Sequence, residues 1–133
     1  MIVRPRKGTE RVYIAGPMTN SRTPGYNVEA FTKAKEILSE RYPSEAVISP
    51  VDIVVDVVRK LGPDEPERSF PACFALLLAR PPWRDAVLRE EMAALRRCTK
   101  IFLLPGWEES EGARNELAAA LACGMEVEQC PSE

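Results

Sequence analysis

Residues 101–121, IFLLPGWEESEGARNELAAAL, restrict the fold of this chain more than any other stretch. Ile101, Phe102, Leu103 and Leu104 form an apolar run of strand type, which Pro105-Gly106 break. A polar loop follows, and from Ala113 the Ala/Leu pattern is helical. Strand, loop and helix in this order are a βα unit. In an open α/β sheet, ligands bind at such a junction, where the carboxyl end of a strand meets the amino end of a helix. Glu116 lies about one turn into the helix. Dipole chemistry alone accounts for a carboxylate there, because acids are favoured in a first helical turn; a ligand-facing acid is the competing reading.

The 133 residues make one domain with room for a hydrophobic core. Apolar residues at 45% and charged residues at 29% are ordinary for a globular protein. A net charge of −2 argues against a nucleic-acid surface, which needs a basic excess. Cys73, Cys98, Cys123 and Cys130 show no CxxC spacing, and the chain contains no histidine. No metal site is therefore expected, and Ser-His and Cys-His catalysis is excluded. Any catalysis runs on carboxylates, hydroxyls, Tyr, Lys or backbone dipoles. No apolar run is long enough to span a bilayer and no signal peptide is visible, so a cytoplasmic protein without membrane partners is expected.

Residues 1–10 read as a flexible lead-in, with Arg4-Pro5-Arg6-Lys7 as a solvated tail, and residues 11–133 as the single domain. Val12-Tyr13-Ile14-Ala15 is the first strand, ended by Gly16-Pro17. A helix starts at Asn27, a potential cap, with Val28, Phe31, Ala34, Ile37 and Leu38 on one face. Val47-Ile48 is a short second strand, after which Asp52 can cap a helix running to about Leu61. Residues 62–82 read as an insertion: a Pro- and acid-rich excursion, a short apolar segment, and the breaker Pro81-Pro82. Residues 85–97 form a helix with an apolar stripe of Val87, Leu88, Met92 and Leu95. Gly124 is a good residue to follow the last helix, and residues 125–127 suit a final strand. Strands alternating with helices imply parallel βαβ units and a three-layer α/β sandwich.

The loop Gly16-Pro17-Met18-Thr19 is neither a dinucleotide fingerprint nor a P-loop, both of which need several glycines at fixed offsets. If its strand neighbours the one at 101–104, the two following loops face each other across one cleft. Ser110 is an N-cap, or it presents its hydroxyl and the free N–H groups of the helix start to a phosphate. Glu90 and Glu91 diverge by about 100° on a helix. Glu91 leans toward the sheet, Glu90 toward solvent, and a plain surface charge is the alternative for each.

Taken together, YIAGPM, YNVEAF, ISPVDI, LREEMAALRRC and IFLLPGWEESEGARNELAAA resemble the nucleoside 2-deoxyribosyltransferase-like superfamily, in particular a branch of small phage and bacterial proteins. The resemblance implies a flavodoxin-like three-layer sandwich around a mostly parallel sheet of about five strands. It implies cleavage or exchange of the N-glycosidic bond of nucleosides or nucleoside 5′-monophosphates, without metal or cofactor. Glu116 takes the place of the catalytic acid, Glu91 that of a second acid which is usually Asp, and Tyr13 that of a Tyr holding the catalytic carboxylate. Thr99 stands where an acid is frequent. Gly16, Pro17, Met18 and Thr19, with Ser110, Gly112 and Ala113, would cradle phosphate, and Trp107 would stack on the base or serve the core or an interface. Ser110, six residues before Glu116, points by resemblance to a 5′-monophosphate, since a free-nucleoside transferase tends to carry an acid there. A homodimer or larger homo-oligomer is implied as well. The competing expectations are a nucleotide-binding or sequestering protein without turnover, and an enzyme cleaving NAD or another ADP-ribosyl bond.

Overall fold

The computed structural model describes residues 10–18, 27–62 and 69–131. Among these, four strands form one parallel sheet: β1 (Val12–Ala15), β2 (Val47–Ile48), β3 (Lys100–Leu103) and β4 (Glu126–Gln129), in the order β2-β1-β3-β4. Five helices connect and flank them: α1 (Val28–Ser39), α2 (Pro50–Leu61), α3 (Phe70–Ala79), α4 (Pro81–Arg96) and α5 (Glu111–Ala122). This is the flavodoxin-like order without a fifth strand. The expected lead-in lies almost wholly outside the described residues, as do Thr19 and residues 63–68.

Side chains alternate across β1 and β3, as the period of two requires. Val12, Ile14, Phe102 and Leu104 point to one face, where Phe31, Ala34 and Leu38 of α1 cover them. Tyr13, Ala15, Ile101 and Leu103 point to the other, against Leu95 of α4 and Ala113 and Ala120 of α5. Both faces of the two central strands are therefore dry, the usual condition of a parallel sheet. A third cluster joins α2, α3 and α4 through Val54, Val57, Phe70, Cys73, Leu77 and Val87.

Among the described residues the sheet has four strands where about five are expected, because those between α2 and β3 form two helices, α3 and α4. Residues 73–79, CFALLLA, are rich in Ala and Leu and contain no β-branched residue, so the run is helical. α3 is thus part of the core rather than of an excursion. Pro81-Pro82 do break the chain, since α3 ends at Ala79 with Arg80 non-helical before them, and they also occupy the first turn of α4, where a missing N–H costs nothing.

Two expected caps move. Ser49, not Asp52, caps α2, its Oγ accepting from the Val51 N–H at 3.3 Å, with Pro50 as first helical residue. Asp52 pairs instead with Lys35 at 2.8 Å. Asn27 makes no cap bond. It ties down the loop after β1, its Nδ2 donating to the Pro17 carbonyl at 3.1 Å and its backbone N–H to the Met18 carbonyl at 2.8 Å.

Candidate functional site

The order of the sheet reverses between β1 and β3, and the loops leaving their carboxyl ends open a crevice there. Gly16 ends β1 in close packing: a Cβ on it would lie 2.7 Å from Cβ of Leu104. Gly106 turns the chain after β3 at a φ of 87°, a conformation that favours glycine. A 3-10 turn, Trp107–Glu109, then leads to Ser110, whose Oγ accepts from the Ala113 N–H at 3.2 Å and caps α5. The cap reading of Ser110 is thus realised, and the residue also lines the cleft.

The cleft holds about 880 Å³. Gly16, Pro17 and Met18 line one side, and Ser110, Gly112 and Ala113 another. The opposite wall is apolar and comes from α2, α3 and α4, with Val54, Phe74, Leu77, Leu78, Val87 and Leu88. Glu116 and Glu91 both face the interior.

Glu116 is the deepest charge-bearing group, only 6% exposed. It accepts a hydrogen bond at Oε2 from the phenol of Tyr13, which is fully buried in the centre of the sheet. Tyr13 does not itself line the cleft; it holds Glu116 from behind. Burial pushes the Glu116 carboxyl up to about 7, with the Tyr13 hydrogen bond pulling the other way. Glu91, half-buried on α4, is pushed up to about 8, first by burial and then by the nearby charge of Glu116. Tyr13 is raised too, by burial and then by Glu116, so its phenol stays a donor. The two carboxyls of this cleft therefore differ near neutrality: Glu91, raised by burial and by Glu116, holds its proton longer, and Glu116 ionises first. Glu90 is exposed on the same helix, as the 100° divergence requires.

Trp107 does not line the cleft. It packs against the core beneath, with Tyr13, Ile101 and Leu103, and its indole N–H finds no acceptor among the described residues. Of the two expectations for Trp107, stacking on a base or a core or interface role, its position matches the core one.

Sequence reading missed Arg84. It stands three, four and seven residues before Val87, Leu88 and Glu91, and all four share one face of α4 and line the cleft. That spacing, counted backward from Glu91, was the available signal. The rim opposite carries Glu108, Glu109 and Glu111. Arg84 is the one cationic residue among the described cleft-lining residues. No group of three or more Cys, Asp and Glu among the described residues is arranged to hold a metal ion. No helix among them is long and apolar enough to cross a membrane.

Residues 69–129, from the cap of α3 to the end of β4, match the model of a domain of unknown function, DUF4406. The matched segment contains Arg84, Glu91, Ser110 and Glu116, and leaves out Tyr13 and the loop after β1. No curated protein and no solved structure matches the chain.

Proposed function

We propose that the cleft breaks the N-glycosidic bond of a nucleoside 5′-monophosphate, with Glu116 as nucleophile and Glu91 as acid. The observation that carries this reading is the carboxyl pair itself: a buried Glu116 held by Tyr13, next to a Glu91 that retains its proton longer, at the bottom of one cleft. Chemistry at a sugar C1′ needs one ionised and one protonated carboxyl, and unequal environments assign the two roles.

The step balances without a cofactor. The C1′–N bond breaks and its electron pair goes to the base, which takes the Glu91 proton. Glu116 captures C1′ as a glycosyl ester. Water then attacks C1′, giving its proton to the Glu91 carboxylate and releasing Glu116. A second base in place of water would make the reaction a transfer.

A phosphate finds two favourable features at the mouth. The N–H groups at the start of α5 are directed there, and among the described residues a Cβ on Gly112 would meet only Ser110 Oγ, at 4.0 Å. The rim carboxylates Glu108, Glu109 and Glu111 work against a dianion, which is why free nucleosides belong in the test.

The test is release of base, followed by chromatography, from ribo- and deoxyribonucleoside 5′-monophosphates, the matching nucleosides and NAD. Cleavage of a monophosphate by the native protein, reduced at least about a hundredfold in Glu116→Gln, is the expected result. A bound but uncleaved nucleotide would establish a binding protein instead, and nicotinamide release would establish an ADP-ribosyl enzyme.

A further inference from the structure

The cleft contains a wall that the glycosidic chemistry leaves unassigned. Phe74, Leu77 and Leu78 of α3 and Val87 and Leu88 of α4 present an apolar surface to it. Leu78 is 58% exposed and Leu88 48% exposed, so two large side chains stand in water at the rim of a pocket rather than in the core. Apolar surface gathered at a cleft marks a place where a ligand is buried. Arg84 lies on the same stripe of α4, two turns above Glu91, about 10.5 Å of helix rise away.

Resting on the function proposed above, we infer that the α3–α4 wall holds the departing base, and that Arg84 donates to a carbonyl oxygen on its edge, so that the preferred leaving groups are oxo-bases. With C1′ at Glu116 and Glu91, the base leaves the sugar from C1′ and the 5′-substituent from C4′, across the ring oxygen, so the two extend to different parts of the cleft. The amino end of α5, with open space at Gly112, takes the charged substituent. The base is left facing α3 and α4, the only broad apolar surface in the cleft among the described residues. Trp107, packed into the core, does not compete for this role.

The chemistry gives Arg84 a reason to be there. As the C1′–N bond breaks, the electron pair arriving on the ring nitrogen is delocalised onto conjugated carbonyl oxygens. A guanidinium presents several N–H donors in one plane and stabilises that charge as it develops. Guanine, hypoxanthine, uracil, thymine and cytosine have such an oxygen. Adenine has none, and offers a guanidinium only a donor amino group and a ring nitrogen.

The experiment compares native protein, Arg84→Met, Arg84→Lys and Leu88→Asn in base release from matched oxo-base and adenine monophosphates and nucleosides, with equilibrium binding of the same compounds measured in parallel. Arg84 and Leu88 are exposed, so the folded state tolerates these changes. Arg84→Met is expected to lower kcat on oxo-bases by roughly tenfold to a hundredfold, with or without the phosphate, and to leave adenine unchanged; Arg84→Lys restores part of the loss. Leu88→Asn is expected to raise KM for every base. An equal effect of Arg84→Met on all bases overturns the inference, as does an effect confined to phosphorylated substrates, which would make Arg84 the phosphate's counter-charge. If nothing is cleaved, the catalytic reading fails separately. Binding then decides for the base wall: a preference for oxo-bases that Arg84→Met abolishes upholds it, and the absence of any preference overturns it.

Discussion

Two glycines of the cleft show how the same residue type serves opposite ends. Gly16 is required by packing, since a methyl group there would collide with Leu104 across the β1–β3 pairing. Gly112 is required by no contact among the described residues and carries the helix cost of glycine, up to about 1 kcal/mol relative to Ala. Gly16→Ala should therefore destabilise the protein by about 1–3 kcal/mol, read by denaturant unfolding. Gly112→Ala should leave stability equal or slightly higher while weakening nucleotide binding at least severalfold; unchanged binding would remove the α5 terminus from the site. At this scale the sequence was uneven. Glu116 and Ser110 were legible because local motifs sit around them, and the inward lean of Glu91 follows from its position before Met92 and Leu95. Arg84 was hidden because a lone arginine on an exposed helix is read as a solvated charge until the helix is known to line a cleft. Trp107 stayed open between stacking and the core, because only the folded chain shows which way its ring turns.

The helices were found more reliably than their starts. A capping residue competes with its neighbours, and Ser49-Pro50 outdoes Asp52 because a Ser followed by Pro satisfies both cap and first turn. Ser49→Ala should cost about 1 kcal/mol, whereas Asp52→Ala, which removes only an exposed pair with Lys35, should cost well under that; thermal unfolding of the two variants ranks them. α3 escaped notice for a different reason. A short apolar run between breakers has no periodicity that separates a buried strand from a buried helix, and the prolines at 81–82, which do end α3, give no local sign that they also open α4. Because α4 and α5 both run opposite to β3, their amino ends meet at the same edge of the sheet. Arg84 and the Ser110 cap stand there, and Glu91 and Glu116 lie deeper, each about two turns further along its helix.

Over the whole molecule, the buried carboxyl pair sets a tension between stability and readiness. In the unfolded chain both acids titrate near 4.5, and in the folded one near 8 and 7. Between those values the native state binds more protons than the unfolded state. The contribution of these groups is fully present below about pH 4.5 and is lost as pH rises through 7 and 8. Glu91→Gln should accordingly melt several degrees above the native protein at pH 9, a difference on the order of 1–3 kcal/mol, with the gap closing toward pH 5; an equal gap at both values would mean that the pair is not buried as described. Under the proposed function, the same two values predict turnover that peaks between about pH 7 and 8, where Glu116 is ionised and Glu91 is not, and a pH–rate profile checks it. Topology adds a constraint of another kind. β1 lies between β2 and β3, Val12 pairs with Lys100, and the phenol that steadies Glu116 is 103 positions away from it. Synthesis runs from β1 toward α5, so β1 gains its β3 neighbour only after the intervening helices have been made. Glu116 receives its phenol partner only when α5 lands against β1, so elements from opposite ends of the described fold must both be in place before the buried carboxyl pair exists.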